Sequence, residues 1–256
     1  MKNIKITMQY DGTKYNGWQR QGNTKNTIQE KFEQVLFKMC GRKTEIFASG
    51  RTDAGVHAQG QAANFKCETE MSCAEILAYL NRYLPEDIRV LSAEEAGERF
   101  HARLNAVSKT YAYRIATEKP DVFIRKYVYW ADAAPDVEKM RAAANLLLGT
   151  HDFKGFSSLG KTKKSTVRTV TDIDITEENG VVVLRFTGNG FLYNMVRILA
   201  GTLFDIGIGK LDMTVIPEIL EEKNREKAGV TMPACGLMLL RVGYPNLVKD
   251  VDNDHA

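Results

Sequence analysis

The most informative stretch of the sequence is Gly50-Arg51-Thr52-Asp53-Ala54-Gly55-Val56-His57-Ala58. Residues 44–49 and 60–65 flank it with strand-like patterns, so the stretch predicts a loop that crosses from one β-strand to the next. Its glycines let the backbone bend sharply or let a ligand approach closely. Asp53 lies near Arg51, which can keep the carboxylate ionised or bind a phosphate or a base. For an isolated Asp-x-Gly, a hairpin turn in which Asp53 binds only its own backbone is the simpler interpretation.

The composition is typical of a soluble globular protein with a substantial core, since 44% of the 256 residues are hydrophobic and 26% are charged. This length allows one large domain or two of ordinary size. The N-terminus has no apolar run long enough for a signal peptide. The longest apolar stretch, residues 191–208, contains Asn194, Arg197 and Asp205, so it suits a buried helix better than a membrane span. We therefore expect a cytoplasmic protein with no membrane segment.

The cysteines and histidines do not form a metal-binding pattern. The four cysteines include no C-x-x-C pair, and the four histidines are scattered along the chain. We interpret the cysteines as reduced core residues and predict that the protein has no metal site.

Basic residues are concentrated in one segment, although the net charge is only +3. Residues 154–168 contain no acid and carry the basic residues Lys154, Lys161, Lys163, Lys164 and Arg168. A charge run is usually a solvated face, so this segment alone is a weak sign of nucleic-acid binding. It supplies candidate contacts to an RNA.

The first half of the chain predicts the order strand, helix, strand, strand, helix, strand. Capping-box spacings, Thr27 with Glu30 and Ser72 with Glu75, mark the starts of the two helices. The strands are expected at residues 4–10, 44–49, 60–65 and 88–93.

The second half predicts a similar order with different residues. The expected elements are a strand at 110–117, a helix at 135–148, a hairpin of 167–176 and 181–187 around Asn179-Gly180, an apolar helix from Phe191, a shorter helix near 217–222 and a strand at 237–243. Two tandem βαββαβ units of the ferredoxin or RNA-recognition type predict an α+β fold, with an extended antiparallel sheet and helices on one face.

We place the domain boundary between these two units. Residues 1–106 form an N-terminal half that carries the Asp53 loop, and residues 107–246 form a C-terminal half that completes the cleft. Residues 247–256 are acidic and are expected to be a disordered tail.

Arg197 lies within the apolar helix, where an unpaired guanidinium would be very costly. It should therefore face a carboxylate or an anionic ligand. Two partners are possible: a structural pair with Asp205, or Asp53, which needs a fixed cation to stay ionised inside a cleft.

The strand Lys109-Thr110-Tyr111-Ala112-Tyr113 should place Lys109, Tyr111 and Tyr113 on one side. Tyrosine beside basic residues is a base-stacking surface in RNA-binding sheets. An ordinary half-buried strand has the same pattern, so the signal is weak alone.

Several further segments occur at matching places along a known family. They are Tyr10-Asp11-Gly12, Gly17-Trp18-Gln19, Phe100-His101-Ala102-Arg103, Lys109–Tyr113, His151-Asp152-Phe153, Val167-Arg168-Thr169, Phe191–Arg197, and Gly236-Leu237 before Tyr244-Pro245. With the Asp53 loop, they make residues 3–245 resemble the TruA family of tRNA pseudouridine synthases.

The resemblance implies a role for each matching residue. Asp53 would be the catalytic nucleophile, Arg197 its salt-bridge partner and Tyr111 the residue stacked on the target base. Arg51 would help displace the target nucleotide, and Leu237 would line the apolar side of the pocket. The resemblance also implies a homodimer and a tRNA substrate modified at positions 38, 39 and 40 of the anticodon stem–loop. The reaction is an isomerisation, so no cofactor is expected.

Two other functions are compatible with parts of the sequence. A non-catalytic RNA-binding protein with two recognition modules would explain the basic segment and Tyr111, but not the Asp53 loop or a buried Arg197. A carboxylate-dependent nucleoside hydrolase would normally need a second carboxylate, and none stands out near Asp53.

Overall fold

The computed structural model describes residues 1–245, so the acidic tail expected at 247–256 lies outside the described residues. The first half has the predicted order of elements. They are β1 (Lys2–Tyr10), α1 (Ile28–Cys40), β2 (Ile46–Ala48), β3 (His57–Cys67), α2 (Cys73–Tyr83) and β4 (Ile88–Ala96). Thr27 caps α1 by accepting a hydrogen bond from the backbone N–H of Glu30, and Ser72 and Glu75 form a complete capping box at α2.

The second half contains two short strands that the sequence did not predict. Its elements are β5 (Ser108–Ala116), β6 (Tyr129–Trp130), α3 (Val137–Asn145), β7 (Gly149–Asp152), β8 (Val167–Glu178), β9 (Val181–Gly188), α4 (Met195–Gly207), α5 (Val215–Glu222) and β10 (Leu237–Gly243). The additional strands are β6 and β7, whose two and four residues are too short for a clear alternating pattern. Asn179 and Gly180, with φ of 51° and 71°, form the predicted hairpin turn between β8 and β9.

The start of the apolar helix differs from the prediction. The helix was expected from Phe191, but α4 begins at Met195 because Asn194 has left-handed backbone geometry with φ of 60°. A left-handed residue interrupts a right-handed helix. Arg197 therefore lies in the first turn of α4 and not in its middle.

The two halves share one sheet of ten strands, which confirms the predicted α+β class and extended sheet. The strand order is β4-β1-β3-β10-β5-β9-β8-β7, with β2 paired to β3 and β6 paired to β5. Most pairs are antiparallel. The halves join where β10 runs parallel to the first residues of β3, with Met238 opposite His57 and Leu239 opposite Ala58. Because the Asp53 loop leads directly into β3, this junction places it beside the start of β10.

The core is continuous between the sheet and the helices. Ile4, Ile6 and Met8 of β1 are fully buried, as are Phe32 and Leu36 of α1. Burial of such side chains supplies the main favourable free energy of folding. Within residues 1–245, no helix combines the length and the apolar character that a membrane crossing requires.

Candidate active site

The Asp53 loop is held in place by the segment that follows β1. Trp18 donates its backbone N–H to the carbonyl of Thr52 over 2.9 Å, and Gly55 donates to the carbonyl of Tyr15 over 3.3 Å. The hydroxyls of Tyr10 and Thr52 are 2.8 Å apart. The backbone conformation around Asp53 is therefore fixed by a neighbouring segment and not only by its own turn.

Two glycines allow this close approach. A Cβ atom on Gly12 would lie 1.9 Å from the carbonyl oxygen of Val56, so no other residue fits there. Gly17 has φ of +88°, and a Cβ on it would lie 2.7 Å from the carbonyl oxygen of Thr52. Both positions need glycine because backbone packs against backbone.

A second set of hydrogen bonds holds the start of the loop. Gln61 of β3 donates its amide to the carbonyl of Gly50 over 2.8 Å and accepts from the hydroxyl of Ser49 over 2.8 Å. Lys109 of β5 donates its ammonium group to the carbonyl of Ser49 over 2.7 Å. The loop is thus bound to strands from both halves of the chain.

Arg197 lies beside Asp53, with 3.8 Å between Nη1 of the arginine and Oδ2 of the aspartate. The guanidinium also donates to the backbone carbonyl of Met232 over 2.6 Å and to the side-chain oxygen of Asn194 over 2.9 Å. Asp205, the alternative partner, instead pairs with Lys210 at 3.3 Å. Arg197 is therefore a fixed cation at the carboxylate.

Asp53 carries the only carboxylate among the described residues that line its cleft, which has a volume of about 640 Å³. Partial burial raises the pKa of Asp53 above its ordinary value, and the charge of Arg197 opposes that rise by favouring the ionised form. The carboxylate is 34% exposed, so a ligand in the cleft can reach it.

Aromatic and apolar side chains also line the Asp53 cleft. The ring of Tyr111 is only 8% exposed and packs edge-to-face against Phe191, with 5.4 Å between ring centroids. Burial raises the pKa of Tyr111 above its ordinary value, so its hydroxyl stays protonated. Leu237, at the start of β10, is also buried and lines the same cleft.

The predicted basic residues divide into two groups. Arg51 is exposed and lines the cleft together with Asp53. Lys161, Lys163 and Lys164 are exposed on the loop between β7 and β8, outside the cleft lining, which that loop enters only at Leu159. Arg168 also lies outside the lining, half-buried near Gly190, where a Cβ on the glycine would be 3.7 Å from its Nε.

Several residues near the site were not predicted as site residues from the sequence. Among them, Arg103, Lys109 and Phe191 line the cleft, and Gln61 holds its loop. The position of Lys109 two residues before Tyr111 on one strand was a usable signal, because alternate strand residues share a face. Gln61 had no such signal.

Within residues 1–245, no group of His, Cys, Asp and Glu side chains has the arrangement of a metal site. A second cavity of about 530 Å³ lies near His57, Asp11 and Tyr127, and none of the predicted site residues lines it. The structure places Asp53 against Arg197, and it brings the predicted residues Arg51, Tyr111 and Leu237 to the cleft that Asp53 lines.

The fold is of the α+β class, and Asp53 is the single acid among the described residues that line its cleft. A family model described as tRNA pseudouridine synthase matches residues 6–105 and 143–245. The chain belongs to the tRNA pseudouridine synthase family and is accordingly an isomerase.

Its relatives match over nearly the whole chain. It is 47% identical to tRNA pseudouridine synthase A 2 of Bacillus cereus over 245 residues, which are 95% of this chain and 100% of the relative. It is 42% identical to tRNA pseudouridine synthase A of Clostridium kluyveri over the same shares of the two chains. A solved structure of a Cbf5-Nop10-Gar1 complex aligns with 93% of this chain and 49% of its own, at 12% identity and a TM-score of 0.40.

Proposed function

We propose that this enzyme converts uridine to pseudouridine at positions 38, 39 and 40 of the tRNA anticodon stem–loop, with Asp53 as the catalytic nucleophile. The observation that carries this proposal is the isolated carboxylate of Asp53, which lies against Arg197 in a cleft that also contains the ring of Tyr111. The family membership supplies the reaction class, and the resemblance of the Asp53 loop to the TruA family supplies the positions.

The target uridine is flipped out of the RNA before it reacts. Its glycosidic bond is inaccessible inside the RNA, and unstacking costs a few kcal/mol. Stacking of the base on Tyr111 returns part of that free energy, because base–aromatic stacking contributes about 1–3 kcal/mol. Arg51, exposed at the cleft, helps displace the nucleotide, and Leu237 covers the apolar side of the base.

The ionised Asp53 then acts on the nucleoside as the N-glycosidic bond breaks. The detached uracil stays in the cleft, rotates and rejoins the ribose through its carbon C5, which then loses its proton while N1 gains one. Three first steps remain compatible with the site: attack on the base, attack on the sugar, and removal of a sugar proton. Substrate and product are isomers, so the overall balance needs no oxidant, reductant or added group.

The cleft also bears on the hydrolase alternative. A glycosidase normally uses two carboxylates about 5–9.5 Å apart. Among the described residues that line the cleft, Asp53 is the sole acid. This arrangement favours isomerisation, in which the same carboxylate serves bond cleavage and rejoining.

The site draws on both proposed domains. Arg51 and Asp53 come from residues 1–106, and Tyr111, Arg197 and Leu237 come from residues 107–246.

The protein acts in the cytoplasm as a homodimer, in which one subunit helps bind the tRNA whose base reacts in the other. Sedimentation equilibrium should give twice the chain mass at micromolar concentration, whereas a fully active monomer would contradict the dimer.

The test of the function is the mapping of pseudouridine in unmodified tRNAs that carry uridine at positions 38, 39 or 40. The purified enzyme should form pseudouridine at these positions without added cofactor and without release of free uracil. Pseudouridine confined to other positions would overturn the proposed specificity, and release of uracil would favour the hydrolase.

A further inference from the structure

Lys109 is a half-buried cation that the proposed chemistry at Asp53 does not use. Its side chain donates to the carbonyl of Ser49 over 2.7 Å, and no carboxylate of residues 1–245 forms an ion pair with it. Arg197 is the residue whose charge acts on Asp53. The Lys109 ammonium group therefore has a neutral partner but no compensating anion.

Two more cations act on Lys109. The positive charges of Arg103 and Arg168 lower its pKa, after the larger effect of burial, to about 8. Arg103 is exposed and lines the Asp53 cleft, and Arg168 lies half-buried at the start of β8. Neither arginine pairs with a carboxylate of the described chain. Three cations without an acid repel one another, so an anion placed among them would be bound favourably.

We propose that Lys109 and Arg103, with Arg168 at the margin of the cleft, form a subsite for one backbone phosphate of the RNA, next to the nucleotide that is flipped onto Tyr111. This inference rests on the proposed function, because the bound anion belongs to the substrate. A phosphodiester is the anion that an RNA chain brings into the cleft, and Lys109 and Tyr111 lie on the same side of β5. The subsite sets the register of the RNA, while Tyr111 holds the base.

The position of Lys109 gives the subsite a second effect. Its bond to Ser49 connects it to the residue that precedes Gly50 and the Asp53 loop. A phosphate bound there lies against the same ammonium group that holds the loop. Correct placement of the strand and correct placement of the catalytic loop are thus coupled through one side chain.

The test uses Asp53→Asn as the background, which separates binding from turnover. Its affinity is measured for a synthetic anticodon stem–loop in which single linkages near the target uridine are replaced by neutral methylphosphonates. At about 0.1 M salt, neutralising one linkage should weaken binding about five- to tenfold. This is the factor by which one phosphate contact changes affinity between about 0.1 and 1 M salt. Adding Lys109→Met should remove that sensitivity, whereas a purely structural Lys109 would leave the response to the same linkage unchanged.

Two variants keep this test decisive. Lys66→Met lies at the opposite end of β3 from the Asp53 loop and should retain the full sensitivity to the methylphosphonate. Arg103→Gln changes an exposed residue, so it should fold even if Lys109→Met does not, and it should also reduce the sensitivity. Full sensitivity in both cleft variants would overturn the subsite, whereas absence of pseudouridine with the unmodified enzyme would overturn the proposed function separately.

The pH dependence provides a further readout. The groups that face Lys109 are Ser49, Gly50, Tyr111, Arg103 and Arg168. Burial keeps the Tyr111 hydroxyl protonated. Because the pKa of Lys109 is lowered to about 8, an increasing fraction of the free enzyme must take up a proton to bind the phosphate as pH rises above that value. Affinity should then fall by up to about tenfold per pH unit. Lys109→Met should abolish this fall, and a variant with the same fall would contradict the subsite.

Discussion

Asp53 combines two opposing requirements at the scale of a single residue. The proposed reaction needs the ionised carboxylate, whereas partial burial favours its protonated form and raises its pKa. Arg197 offsets part of this burial effect at 3.8 Å. An ionised, partly buried carboxylate lowers the free energy of unfolding, and this loss of stability can be measured.

The raised pKa of Asp53 predicts that Asp53→Asn is more stable than the parent at neutral pH. Below the unfolded pKa of about 3.9, Asp53 is protonated in both states, so the two proteins should be equally stable. As pH rises through the raised pKa of the folded state, only the parent must ionise a partly buried group, and the variant gains an advantage that is then constant. Urea unfolding between about pH 3 and 8 checks this. A variant less stable than the parent at pH 7 would contradict the burial effect.

The contact between Asp53 and Arg197 is tested by a double-mutant cycle. Arg197→Met should cost about 1–3 kcal/mol, between the values for exposed and buried ion pairs, because the pair is only partly buried. In the Asp53→Asn background the cost should be smaller, since no unpaired carboxylate remains. The lost hydrogen bond to Met232 occurs in both backgrounds and cancels. Urea unfolding of the four proteins gives the coupling, and additivity within about 0.5 kcal/mol would mean that the two residues do not interact.

The sequence identified the residues with a local signature but missed those that act from other strands. A glycine-flanked carboxylate and an arginine in an apolar segment are visible in the sequence and marked Asp53 and Arg197 as candidates. The residues alone left Asp205 open as the partner of Arg197, and only the family resemblance favoured Asp53. Gln61 binds the carbonyl of Gly50 because β3 folds back beside the loop. Nothing in the neighbourhood of Gln61 in the sequence indicates that contact.

The same distinction applies to the elements. The capping residues Thr27 and Ser72 and the turn at Asn179-Gly180 act within a few residues, and they marked the correct positions. The start of α4 was wrong because hydrophobicity continues back to Phe191, whereas the left-handed backbone of Asn194 delays the helix. Apolar periodicity reports burial and does not report a local change in backbone conformation.

The segment that supports the Asp53 loop is the element whose alteration should matter most. Gly17→Ala places a side chain at φ of +88° and a Cβ 2.7 Å from the carbonyl oxygen of Thr52. We expect a loss of about 1–3 kcal/mol in stability and a fall in turnover, because the loop must shift. Gly22→Ala is the matched control, since no atom lies within 4 Å of its Cβ, and it should change stability by less than about 0.5 kcal/mol. Equal effects of the two variants, by urea unfolding and tRNA assay, would contradict the supporting role of Gly17.

At the scale of the whole molecule, the cleft depends on how the two halves join. The parallel contact between β3 and β10 brings Leu237 and the Asp53 loop together, although they are far apart in the sequence. The repeated order of elements predicted two similar units and an extended sheet. It could not predict which strands would meet, because strand pairing depends on contacts distant in the sequence.

The basic loop between β7 and β8 should contribute to tRNA binding through long-range electrostatics. Replacing Lys161, Lys163 and Lys164 with Ala should weaken affinity and reduce the slope of log affinity against log salt by up to about 2–3, through lost counterion release. The matched control replaces Lys38, Lys43 and Lys66 and removes the same charge. Lys38 lies at the C-terminal end of α1, Lys43 just after that helix and Lys66 at the C-terminal end of β3, away from the Asp53 loop. An unchanged slope for the loop variant, in binding assays at several salt concentrations, would mean that its lysines are only a solvated surface.

The central claim is that the carboxylate of Asp53 performs the isomerisation. Asp53→Asn keeps nearly the same shape, and the amide cannot act as a nucleophile or as a base. The decisive measurement is pseudouridine formation by the pure variant on tRNA with uridine at positions 38, 39 and 40, alongside its tRNA affinity. We expect no detectable pseudouridine, with tRNA binding and the folded state retained. Turnover near the rate of the parent enzyme would contradict the claim.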